Sequence, residues 1–305
     1  MKFRTEITPL AGLTGAISHD SVVWTIGSCF ADNIGDRMLA EGFRVEVNPL
    51  GTLYNPLSIL RSVAAVVEGK VYDEGDFFEY EGLWRCYDFH SLFAKRTVGE
   101  SVAMVNSTLE RLCSQLPKLT TVILTFGSAR CFRRIDTGAV VANCHKQPAR
   151  LFRVEDLTVD VSREAISETI SLLQRVAPNL RNIILTVSPI RHISYGLHTD
   201  RLSKSTLLLA ASALCTPTDA TAAKTDVTTG NAAKAAPEVT YFPAYEIMMD
   251  DLRDYRFYAA DMVHPSEVAV DYIYSIFTSS FYSPATIAEA AAHLKDFRRS
   301  LHRPR

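Results

Sequence analysis

The stretch that decides the fold is Ser21–Met38, SVVWTIGSCFADNIGDRM. Its first part is an apolar, β-rich run too short for a helix. Gly27 then permits a tight turn. Phe30, Ile34 and Met38 follow at intervals of four, the spacing of a helix with one apolar face. Strand, glycine turn and helix therefore follow one another directly, and the polar pair Ser28–Cys29 stands at the corner.

The same grammar recurs outward from this unit. FRVEVNPL (Phe43–Leu50) reads as a second strand, and Asn55 and Pro56 cap and open a helix that ends at Gly69. Helical spacing returns at Val102, Val105, Leu109, Leu112 and Leu116. TTVILTFGS (Thr120–Ser128) and NIILTVSPIRH (Asn182–His192) are buried-strand runs that end in polar clusters. A helix around Ser162–Val176, another in SKSTLLLAASAL, a strand in VTYFPAYE and two terminal helices complete the series. Hairpins are expected around Glu81-Gly82 and Asp136-Thr137-Gly138. Short strands alternating with helices argue for an α/β protein, a mostly parallel sheet covered on both faces, that is a three-layer α/β/α sandwich. One domain over 1–305 is expected, interrupted by a polar, small-residue insertion at about 215–238.

Composition narrows the function classes. The chain has 305 residues, a net charge of −2 and no apolar run long enough for a membrane span, so neither nucleic acid nor membrane is an expected partner. The six cysteines show no C-x-x-C pair, and the start has no secretory signal pattern. Reduced thiols in a cytoplasmic protein are the expectation. No cofactor motif is present. Cys144, His145 and His192 follow no zinc spacing, so no metal is expected from them.

In a parallel sheet, ligand sites lie beyond the carboxyl ends of the strands. The residues there are Ser28-Cys29, the loop around Gly51, Gly127-Ser128 and Arg191-His192. A serine at a strand-to-helix corner is placed as a nucleophile, with the N–H groups of Ser28 and Cys29 able to hold an oxyanion. It needs a base and an orienting group. Asp261 and His264, three apart in DMVHPS, supply both on one loop. A helix N-cap is the plainer role for Ser28. Cys29 is chemically the better nucleophile, but as the residue after the turn it is expected to face inward as a small core residue. Arg191 suits an anion or a sugar hydroxyl, or equally a structural pair with Asp261 or Glu246. Asp250 and Asp251 read as a solvated charged face.

GSCFADNIG, NPLGTLYNP, NCHKQP, TVSPIRH, YFPAYEIMMDDLRDYRFY and DMVHPS, in this order, resemble the GSCFA family from about Thr25 to about Phe277. That family is grouped with the SGNH/GDSL-type hydrolases, which share a flavodoxin-like sandwich. The resemblance implies a serine hydrolase acting on an acyl ester, for instance an O-acetylated carbohydrate. Ser28 matches the nucleophile, Asp261 and His264 the final block, and Gly51 the glycine that lends an oxyanion N–H. The third block is usually G-x-N-D. Here Gly127-Ser128-Ala129-Arg130 carries no asparagine, which leaves Asn143 or Ser128 as the substitute donor. His145, Lys146, Arg191 and His192 are expected to contact substrate. An O-acyltransferase built on the same serine, or a binding protein without catalysis, is the alternative.

Overall fold

The computed structural model describes residues 4–216 and 236–301. The chain runs β1 (Val22–Gly27), α1 (Cys29–Ala40), β2 (Arg44–Val47), α2 (Pro56–Val67), β3 (Phe78–Tyr80), β4 (Leu83–Arg85), α3 (Val98–Gln115) and β5 (Thr121–Phe126). It continues with β6 (Arg130–Arg134), β7 (Val140–Val141), β8 (Phe152–Asp156), α4 (Val159–Val176), β9 (Asn182–Val187) and α5 (Leu197–Ser212). Last come β10 (Glu238–Tyr241), the short α6 (Ala244–Glu246), α7 (Glu267–Phe281) and α8 (Pro284–Leu301).

Five strands form one all-parallel sheet in the order β10-β9-β5-β1-β2. β1 and β5 are buried along nearly their whole length, as strands covered on both faces must be. One core joins the sheet to α2, α3, α4 and α5, with Val63, Leu109, Ile166 and Leu207 fully or almost fully buried. A second core on the other face carries Phe30, Ile34 and Met38 of α1 with Ile273 and Phe277 of α7. This is the expected three-layer sandwich. Strand order reverses between β1 and β5, and the crevice at their carboxyl ends is where such sheets bind ligands.

Both hairpins form. Glu81 and Gly82, with φ of 54° and 72°, turn β3 into β4, and β6 pairs antiparallel with β7. β8 joins β6 on its other edge. Most of the expected insertion at 215–238 lies outside the described residues; Thr216 still bonds β10 through Val239 O at 2.9 Å. Asp251 is 4% exposed, in place of the expected solvated face, and bonds Arg4 Nε at 2.5 Å and Tyr272 Oη at 2.7 Å. No described helix is long and apolar enough to cross a membrane.

Candidate active site

The corner after β1 is built on a glycine for a steric reason. Gly27 has φ 143°, and a Cβ there would stand 2.0 Å from Thr125 O. Its N–H donates to Asn48 Oδ1 at 2.8 Å, and Asn48 Nδ2 reaches on to Asp32 Oδ1 at 2.7 Å. Asn48 thus ties the end of β2 to both sides of the corner.

Ser28 and Cys29 part company at this point. Ser28 is 1% exposed, and its Oγ accepts from Phe30 N–H at 3.3 Å as the N-cap of α1. Cys29, one residue into the helix, is half-buried, and its Sγ lies 3.8 Å from His264 Nε2. The structure therefore corrects the sequence reading: the inward-facing residue is the serine, and the one that meets the histidine is the cysteine. Ser28 is the extended N-cap residue, with φ −67° and ψ 168°, and Cys29 is the first helical one, so the two side chains leave the corner in different directions.

His264 is held from behind. Its Nδ1 donates to Asp261 Oδ2 at 2.6 Å. Asp261 Oδ1 also accepts the N–H groups of Val263 at 2.9 Å and His264 at 3.0 Å. The backbone N–H of His264 foremost, then that of Val263 and the imidazole, hold the Asp261 carboxyl down at about 2. With Nδ1–H committed to a carboxylate, the neutral ring presents the lone pair of Nε2 to the thiol. Arg191 braces this loop: its N–H donates to Val263 O at 3.2 Å, its guanidinium to Met262 O, and it stacks over Tyr258 at 4.2 Å. It pairs with neither Asp261 nor Glu246.

Burial pushes the Cys29 thiol up, and the nearby Asp32 adds to the rise; the N–H groups at the helix start and Lys204 oppose it. Lys204 is 1% exposed, and its Nζ donates to Gly127 O at 2.6 Å and Ser188 O at 2.8 Å. It ties the ends of β5 and β9 together beneath the corner. Burial pushes its ammonium down to about 8.

The expected oxyanion donors divide. The N–H of Cys29 is the first of α1, makes no backbone hydrogen bond among the described residues, and stands beside its own sulfur at the positive end of the helix dipole, where an oxyanion would be held. The N–H of Gly51 is consumed by Asn48 O at 2.7 Å. Ser128 gives its N–H to Tyr54 O at 2.9 Å, and its Oγ sits between Arg130 N and Ser203 Oγ. The backbone N–H of each is therefore taken, while the Ser128 side chain lines the cavity described next. Asn143 accepts from His145 N at 2.7 Å through Oδ1, and no described partner takes its amide nitrogen.

Asn143 faces a cavity of about 440 Å³ together with Tyr54, Ser128, Phe132, Phe152 and His192. Tyr54 packs edge-on to His192 at 5.7 Å, and its phenol is raised first by burial and then by the nearby Cys29 thiol. Burial, reinforced by Lys204, pushes His192 down to about 4, so its ring is neutral. Arg130, the charged side chain at the rim, is neutralised by a two-pronged bond to Asp156 at 2.6 and 2.7 Å.

His145 is not a substrate contact. It is 2% exposed, and its Nε2 bonds Cys86 O at 2.8 Å, which makes it a core histidine that burial pushes down to about 4. Lys146 is exposed beside it and is not itself among the residues that line the cavity. Sequence reasoning missed Asn48, Tyr54 and Lys204. The signal for Lys204 was present: a lone lysine ahead of the apolar run TLLLA on a helix that must bury one face.

The family model described as GSCFA family matches residues 22–277, most of the chain. No curated protein and no solved structure matches.

Proposed function

The chain belongs to the GSCFA family, and from that premise we propose that it is an acyl hydrolase of the SGNH/GDSL type in which Cys29, not Ser28, is the nucleophile. The observation that carries this reading is the chain of contacts Asp261–His264–Cys29, 2.6 Å at one link and 3.8 Å at the other. A pure binding role gives that chain nothing to do.

The chemistry follows from the geometry. His264 Nε2 takes the Cys29 proton, and the thiolate attacks the ester carbonyl. The developing oxyanion is held by the Cys29 N–H at the start of α1, with the Asn143 amide as a second donor across the cavity. The tetrahedral intermediate collapses to a thioester as His264 passes its proton to the leaving alcohol. Water, deprotonated by His264, then cleaves the thioester and restores the thiol. Asp261 remains a carboxylate throughout and stabilises the imidazolium.

The cavity beside the thiol supports an uncharged substrate, since its one rim cation is already neutralised and its walls are aromatic and amide. An ester on a carbohydrate-like alcohol fits that lining. The cavity volume of about 440 Å³ also admits an acceptor alcohol, which favours transfer as the second reading. Turnover of a short-chain aryl ester tests the proposal: Cys29→Ala abolishes it and Ser28→Ala keeps most of it. Dependence on Ser28 alone overturns it. Acyl transfer to added sugars, at the expense of hydrolysis, separates transferase from hydrolase.

A further inference from the structure

A second group of side chains stands at the other end of the sheet, where β1 and β2 begin. His19, on the loop before β1, is 13% exposed and stacks on Phe43 with ring centroids 4.0 Å apart. Its Nε2 lies 2.9 Å from Glu41 O. A carbonyl only accepts, so Nε2 carries the proton, and in the neutral ring Nδ1 is a lone pair. That lone pair is 3.2 Å from Glu289 Oε2 on α8. Two acceptors do not rest face to face at this distance unless a cation joins them. The other Glu289 oxygen, Oε1, is 3.9 Å from His293 Nε2, one turn further along the same helix. Among the described residues this is the one trio whose ligand atoms lie within 4.8 Å of one another.

The rings are seated. A Cβ on Gly42, which has φ 83°, would stand 2.7 Å from His293 Cγ. The imidazole therefore rests on a bare backbone carbon. The turn at Glu41, Gly42 and Phe43 thus supplies the carbonyl for one histidine, the floor for the other and the stacking partner. A carbonyl behind a ligating imidazole is the usual arrangement that fixes which nitrogen faces a metal. Tetrahedral zinc, with bonds of about 2.0–2.1 Å to nitrogen and oxygen, places neighbouring ligand atoms about 3.3 Å apart. The His19–Glu289 separation matches that edge, and a small rotation of the exposed His293 ring brings the third ligand in.

We propose that His19 Nδ1, Glu289 and His293 Nε2 bind one divalent transition ion of the zinc class, with water in the fourth position, clamping α8 to the loop before β1. The competing account is a protonated His19 ion-paired with Glu289.

The test is titration of the metal-stripped full-length protein with Zn²⁺ by calorimetry, and with Co²⁺ by visible absorption. One equivalent should bind with a tetrahedral cobalt spectrum and raise the melting temperature. His293→Ala, at an exposed position that spares the fold, should weaken binding by about tenfold or more, and Gly42→Ala should weaken it by displacing the ring. Cys29→Ala should bind as wild type, so the result is independent of the proposed chemistry. Equal affinity in wild type and His293→Ala overturns the site. So does a melting temperature that responds to acidification but not to metal.

Discussion

Cys29 Sγ and His264 Nε2 meet 3.8 Å apart at the mouth of the parallel sheet, although 235 positions separate them in the chain. The two residues come from the first and last parts of the fold. Everything proposed for the site descends from this contact.

The sharpest consequence concerns neighbouring substitutions. Cys29→Ala should lower ester turnover by on the order of 10⁴-fold or more, the usual loss when a nucleophile is removed. Ser28→Ala removes a helix cap, which costs about 1 kcal/mol and lowers the melting temperature by a few degrees. Its turnover should stay close to wild type. Steady-state kinetics and a melting curve on the two variants check both statements.

Asp261 fixes the tautomer of His264, so Asp261→Asn should leave the fold intact and lower kcat by on the order of 10³–10⁴-fold. Because its hydrogen bonds hold the carboxyl at about 2, Asp261 contributes its favourable interaction in full above its ordinary 3.8 and loses it as pH falls from there through about 2. The wild-type pH–rate profile should therefore show no limb from Asp261 above about pH 3.

Burial raises the Cys29 thiol above its ordinary value. Alkylation of Cys29 by iodoacetamide should accordingly keep accelerating with pH beyond 9. Lys204 opposes that rise, so Lys204→Met should displace the alkylation profile further to alkaline pH. An unshifted profile accompanied by a lower melting temperature would confine Lys204 to its strand-end carbonyls.

Lys204 also makes a stability prediction with a definite sign. Its folded value of about 8 lies below its ordinary 10.5, so between these pH values the unfolded chain binds more protons than the native one. The stability of wild type relative to Lys204→Met should therefore rise from about pH 8 to about pH 10.5. Denaturant titrations of both proteins across that window measure the difference.

Asn48→Ala should cost about 1–3 kcal/mol, because it strands the buried N–H of Gly27 and releases Asp32. Turnover should fall with it, since the same bonds set the corner that carries Cys29. Urea unfolding alongside kinetics checks the pair of effects.

The frame was legible because each apolar run closes on glycine or a polar cluster, and those closures mark the carboxyl edge of the sheet. Asp261 and His264 were legible because they sit on one loop at a readable spacing. The choice between Ser28 and Cys29 was not, because both residue types suit a strand-to-helix corner and only the helix phase decides which one turns inward. Gly51 misled because hydrogen-bond bookkeeping is invisible in sequence: its N–H is spent on Asn48. His145 misled for a similar reason, its partner Cys86 O standing 59 positions away. β8 escaped notice because FRVED is charged and pairs only at the margin of the fold.

The central claim is that Cys29 is the activated nucleophile, and the most direct measurement is the position of the acyl group on the enzyme. An activated aryl ester is mixed with the protein, the reaction is quenched in acid, and the adduct is mapped by peptide mass spectrometry. The account predicts a hydroxylamine-sensitive thioester on Cys29 that disappears in His264→Ala. An acyl group on Ser28, with Cys29 unmodified, would contradict it.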